Sequence, residues 1–275
     1  NFLVPRASGS VLGGVRGVTL LSSEPSRAGY EFLFICLGYR YFFLKDGKKK
    51  FIFDLFVFVF EATIIKSATG TLYTLFYLII RYYKYVLVIL PFLLFLVFIG
   101  DYFKVESKGI SVFATLIDIF KESDLNTLHH FLLNSSGFRL VSIEAAYYYG
   151  VCHLLGGGLG NWAVVSVQAL DALGYDPSNI GYFKWFGDGE WIPVRPTSYF
   201  AGLFLETGSL TFLLVFIYIV SILIPVWRLK TDNELKAVLV IFLMYLFTLG
   251  AVGNPIPWVI VGILVGYNRL TRKGR

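Results

Sequence analysis

The sequence predicts an all-α polytopic membrane protein of about seven transmembrane helices, with one large outward loop of short amphipathic helices. Three observations predict it. Apolar residues make up 56% of the 275 and charged residues only 15%, with a mean hydropathy of +0.69. Soluble domains carry about 25% charged residues, so an ordinary cytosolic enzyme and a disordered chain are both excluded. Apolar segments of roughly membrane-span length recur along the chain. The basic residues gather in alternate connections, as loops on one side of a bilayer do.

Taken in order, residues 1–27 form an outward N-terminal segment and 28–100 four transmembrane helices, at 28–44, 51–65, 67–82 and 85–100. Residues 101–198 form the large loop. Residues 199–268 hold three more helices, at 199–224, 236–252 and 256–268, and 269–275 form an inner tail. Ser23 is placed to cap a helix starting at Glu24 and Pro25, because Pro suits the first turn and Glu complements the helix dipole there. Lys66, Ser67, Thr69 and Gly70 read as a tight turn between the second and third spans. In the loop, 111–121 and 139–154 have near-helical apolar spacing and predict short helices against the membrane surface. The stretch 174–196, rich in Gly, Pro, Asp and aromatics, reads as irregular loop.

The connections at 45–50, 81–84, 228–236 and 269–275 fall on one side of this alternation. They hold thirteen of the 24 basic residues and three acids, Asp46, Asp232 and Glu234. That side is cytoplasmic by the positive-inside rule. The net charge of +6 is then a topology signal and not a nucleic-acid one. Cys36 and Cys152 fall in different compartments, which implies no disulfide framework. The chain starts outside without a signal peptide or an initial Met, so it is expected to be an N-terminally truncated piece of a longer protein. A processed or renumbered N-terminus is the alternative.

Several outward residues carry candidate chemistry. Arg139 and Arg195 have no anchoring reason to face outward, and a guanidinium fork grips phosphate oxygens bidentately. A salt bridge from Arg139 to Glu144 is the plainer alternative. Gly156-Gly157-Gly158-Leu159-Gly160-Asn161 can expose backbone N–H groups as an anion nest, or can be a simple flexible turn. Thr197 precedes Glu206 by about two and a half helical turns. A carboxylate at that depth in a span is paired or functional. Asp54 and Glu61 share one helix face, with Lys66 placed to pair with Glu61.

Taken together, Ser23-Glu24-Pro25-Ser26, Lys66-Ser67-Ala68-Thr69-Gly70, Arg139, Gly158-Leu159-Gly160-Asn161 and Glu206-Thr207-Gly208 resemble the O-antigen polymerase and O-antigen ligase family of bacterial envelope glycosyltransferases. The likeness covers most of residues 16–255, and the order of the motifs carries it more than any single one. The ligase branch has a His nine residues before the Glu. Here that position is Thr197, which favours polymerase over ligase and leaves the general base open.

The resemblance implies polymerisation of polyprenyl-pyrophosphate-linked oligosaccharide repeat units into a surface polysaccharide, at the periplasmic face of the inner membrane. Arg139, Arg195 and Glu206 would then be catalytic. Arg16, Glu24, Gly158, Gly160, Asn161 and Thr197 would bind substrate, with Arg27 a weaker phosphate contact. The reaction is expected to need no metal and no cofactor. The expected partners are the lipid-linked oligosaccharide, the bilayer, a chain-length regulator and a flippase, with no nucleic acid. A transporter or flippase for a lipid-linked sugar is the rival from another class, and a membrane subunit without an active site is a third reading.

Overall fold

A computed structural model describes residues 25–85, 138–175, 195–228, 233–248 and 254–273. Arg16, Glu24, the Ser23 cap, the span beyond Tyr85, the helix predicted at 111–121 and the loop 176–194 lie outside the described residues. Among the described residues every regular element is helical. The chain divides into two compact units. The first takes 1–123, 231–241 and 255–275, and the second 124–230 and 242–254.

In the first unit, α1 (Pro25–Phe43) packs on α3 (Ala68–Arg81) and α8 (Ile256–Lys273). Between α1 and α3 lies α2 (Gly47–Phe60), capped by Asp46, whose carboxylate accepts the Lys48 N–H at 2.9 Å. That bond satisfies one of the orphan donors of the first turn. The helix runs on into a π-helical turn, Glu61–Ile65. Lys66 then takes the left-handed conformation at φ 52°, and Ser67 caps α3 by accepting the Gly70 N–H at 3.0 Å. The reversal is therefore made by Lys66 and Ser67 alone, and Thr69 and Gly70 belong to α3. Gly70 acts by its size instead. A Cβ there would stand 2.8 Å from Gly29 Cα, so the α1 and α3 backbones touch.

In the second unit, α4 (Phe138–Cys152) and α5 (Trp162–Ala172) pack with α6 (Tyr199–Arg228). Val141, Ala145, Ala146, Tyr149, Val165, Ala169, Leu170, Ala201 and Leu205 form its core. The apolar face of α4 is thus buried against two helices, where the sequence predicted contact with the membrane surface. α5 was not predicted at all. Its spacing of Val165, Ala169 and Leu170 is a short helical signal overshadowed by the glycine run before it. The last part of α7 (Asn233–Thr248) belongs to this unit and its first part to the other.

Helices occupy every predicted span that lies within the described residues. Of these, only Tyr199–Ser221 is long and apolar enough by itself to cross a membrane, with mean hydropathy 2.1 and 22% of it buried. The reason is length and charge. α3 has 14 residues, about 21 Å at 1.5 Å per residue, against a hydrocarbon core of about 30 Å, while α2 with its π-helical extension carries Lys48, Lys49, Lys50, Asp54 and Glu61. α1 is longer but carries Arg27, Glu31 and Arg40. On α6, Leu210, Leu213, Leu214, Ile217, Tyr218 and Ile224 are exposed, a helical stripe of large apolar side chains turned outward.

Candidate functional site

The site is built where α6 breaks. Gly208 has φ 69° and ψ −175°, which is not helical, so Tyr199–Thr207 and the remainder of α6 are two helices in series. A break frees carbonyls and N–H groups that need partners. The glycine-rich segment after α4 supplies them from its main chain. Gly157 N–H donates to Leu205 O at 3.0 Å, Gly158 N–H donates to Glu206 O at 2.8 Å, and Leu210 N–H donates to Leu154 O at 3.3 Å. Gly156 (φ 64°) and Gly208 interlock at this contact. A Cβ on either would strike the other's backbone nitrogen, so neither position has room for a side chain.

The break presents Glu206, which is 5% exposed. Its Oε1 pairs with Arg195 Nη2 at 2.6 Å, and its Oε2 accepts the Gly160 N–H at 3.3 Å. The Arg195 side chain reaches it by passing over Gly202, whose missing Cβ would stand 3.5 Å from Arg195 Nε. Arg195 itself is about one third exposed. A buried carboxylate needs such a partner, since an unpaired buried charge is costly. Ser198 starts α6, accepting the Ala201 N–H at 3.2 Å and donating to Leu246 O at 3.0 Å. Beside it, burial pushes the Tyr147 phenol up. The Thr197 hydroxyl oxygen is buried without a hydrogen-bond partner.

The structure brings Arg195, Glu206, Gly158 and Gly160 together, with Thr197 two residues beyond Arg195. The N–H groups of Gly156, Gly157, Gly158 and Gly160 have partners within the protein. Gly156 N–H goes to His153 O, and the N–H groups of Gly157, Gly158 and Gly160 go to Leu205 and Glu206. Asn161 likewise staples the loop to itself, donating from Nδ2 to Gly157 O at 3.1 Å. Arg139 lies in the first turn of α4, half-buried, with its carbonyl accepting the Ser142 hydroxyl at 2.9 Å. Glu144 accepts the Tyr175 hydroxyl at 3.5 Å. Behind the site a cavity of about 10 Å³, lined by Ser142, Ser166, Pro196 and Leu205 among others, has room for one water and not for a sugar.

A second polar cluster, in the first unit, was only partly foreseen. Arg40, 1% exposed, binds Asp54 Oδ1 through Nε at 2.6 Å and pairs with Glu234 through Nη1. Lys50 Nζ reaches Glu234 Oε2 at 2.7 Å, and the Tyr82 hydroxyl donates to Asp54 Oδ2 at 2.7 Å. The Arg40 guanidinium also lies 5.7 Å from the Tyr77 ring centroid, within cation–π range. Two acids and two bases are thus joined in one network. Glu61 stands apart from it, and its ligand is the Thr74 hydroxyl at 2.6 Å, not the Lys66 expected from spacing. Among the described residues no group of three or more His, Cys, Asp or Glu side chains is placed to hold a metal ion. No family model, curated protein or solved structure matches the chain.

Proposed function

We propose that the chain polymerises polyprenyl-pyrophosphate-linked oligosaccharide repeat units at the periplasmic face of a bacterial inner membrane. The observation that carries this reading is the Arg195–Glu206 pair, held at a break in the most apolar helix. Glycosyl transfer from a lipid diphosphate needs a base for the acceptor hydroxyl and cations for the departing diphosphate. Glu206 is the base in this reading. Arg195, partly exposed and bound to Glu206 in the resting protein, is the cation. As the diphosphate arrives, Arg195 turns to it and leaves the carboxylate free to take the proton. Arg139 is a second phosphate contact.

The test is purified full-length protein in detergent with lipid-linked repeat units. Glu206→Gln keeps an acceptor for the Gly160 N–H and is expected to slow polymer formation by about 10²–10⁴-fold, the usual worth of a general base. Undiminished polymer from that variant removes Glu206 from the chemistry. The broken helix also favours a second reading, a transporter or flippase for a lipid-linked sugar, because discontinuous helices recur at transporter binding sites. Polymer formed without sealed vesicles decides for the enzyme. Movement of the lipid-linked sugar across vesicles, with no polymer, decides for the transporter.

A further inference from the structure

Glu61 is fully buried, at 0% exposure. Its Oε2 accepts the Thr74 hydroxyl at 2.6 Å, and its Oε1 has no hydrogen-bond partner. Among the described residues, Arg40 pairs with Asp54 and Glu234, and Lys50 pairs with Glu234. Glu61 opens the π-helical turn Glu61–Ile65, and such turns concentrate at functional positions. Among the described residues no ion pair reaches this carboxylate, and a buried charge is costly without one. The smallest ligand that balances it is a proton, for which Oε1 is the open seat.

The surroundings supply a route. Thr74, which holds Oε2, also lines a cavity of about 10 Å³ shared with Cys36, Asp54 and Tyr77. That is room for one water. The Tyr77 hydroxyl has no hydrogen-bond partner and is the second donor such a water could meet. Beyond the cavity Asp54 joins Tyr82 and Arg40, Arg40 joins Glu234, and Glu234 joins Lys50, whose side chain is 17% exposed. The titratable groups around the route are Cys36 on α1, Asp54 on α2 and Tyr77 on α3.

We propose that Glu61 is a proton-binding site of the α1–α3 cluster, its proton exchanging through Thr74 and one cavity water toward Asp54. This stands apart from glycosyl transfer, because the site belongs to the first unit and the Arg195–Glu206 pair to the second.

The test uses the full chain in lipid at neutral pH. Infrared difference spectra of wild type against Glu61→Gln are expected to show a carboxylic-acid C=O band that Glu61→Gln lacks and that Asp54→Asn keeps. The band is expected to shift in deuterium oxide, and the shift to slow several-fold in Thr74→Val. A hydrophobic carbodiimide adds a protonated carboxyl across its C=N bond, and the product rearranges to an N-acylurea without a leaving group. The adduct is expected on Glu61 and not on Asp54. Absence of the acid band overturns the site. A band that never exchanges, or exchanges as fast in Thr74→Val, overturns the route. Protection from the carbodiimide by sodium at constant pH overturns the proton as ligand and makes the site one for a small cation. Thermal unfolding of Glu61→Gln at the wild-type midpoint or above is expected, since no partner is orphaned; a lower midpoint marks Glu61 as a structural acceptor for Thr74 and overturns the proposal.

Discussion

At the residue scale the two polar clusters differ in what losing a member does. Arg40 neutralises two carboxylates that are 3% exposed, Asp54 and Glu234. Arg40→Ala removes the cation bound to Asp54 and one of the cations bound to Glu234. It is expected to cost about 3–5 kcal/mol, read as a lowered thermal unfolding midpoint. Lys50→Ala, at the exposed edge, is expected to cost under about 1 kcal/mol. Equal losses from the two would mean that the network does not hang on Arg40. Arg195→Ala and Arg139→Ala are expected to abolish polymer-length glycan with the helices still formed; long chains from either remove that residue from the diphosphate site. Glu206 was legible in the sequence because a carboxylate at the head of an apolar stretch must find a partner. Arg40 was not, because its partner Glu234 lies far along the chain, and spacing reports only near neighbours.

At the element scale α6 is defined by a fault. Two interlocked glycines, Gly156 and Gly208, let two backbones exchange hydrogen bonds directly. Gly208→Ala forces a side chain into left-handed backbone and into the carbonyls of His153 and Leu154. It is expected to cost more than the roughly 1–3 kcal/mol of backbone strain alone, and to abolish activity with it. Gly262 of α8 has open space around its Cβ position, so Gly262→Ala is expected to gain about 0.5–1 kcal/mol. Thermal unfolding of the two variants checks both signs. The sequence showed the glycine run but not its purpose. A run of glycines serves equally to cradle an anion or to admit another backbone, and only the position of the second backbone distinguishes them.

At the scale of the whole molecule, composition marks an apolar helical protein, and helices fill the predicted spans that lie within the described residues. Apolarity does not by itself divide crossing helices from packed ones. α2 opens on Lys48, Lys49 and Lys50 and carries Asp54, and α3 has 14 residues, so neither crosses by its own length and composition. Free cysteines offer a check on the proposed sidedness. Cys152 is exposed and Cys36 buried. In intact spheroplasts, Cys152 is expected to react with a membrane-impermeant maleimide while Cys36 does not. Labelling of Cys152 only in inverted vesicles would reverse the proposed orientation.

The seal at Gly208 also has a consequence for the order of assembly. The chain emerges from the ribosome with residues 154–160 ahead of 205–210, so the donors for Leu205 and Glu206 exist before the helix that needs them. A helix entering lipid alone has no water to serve a break, and its least costly form is straight and continuous. For a helix that inserted in this way, the break at Gly208 would follow insertion, made when the loop offers its own N–H groups to Leu205 and Glu206. Glu206 acquires its position and its Gly160 donor in that same step, so the site comes into being only once biosynthesis of both segments is complete.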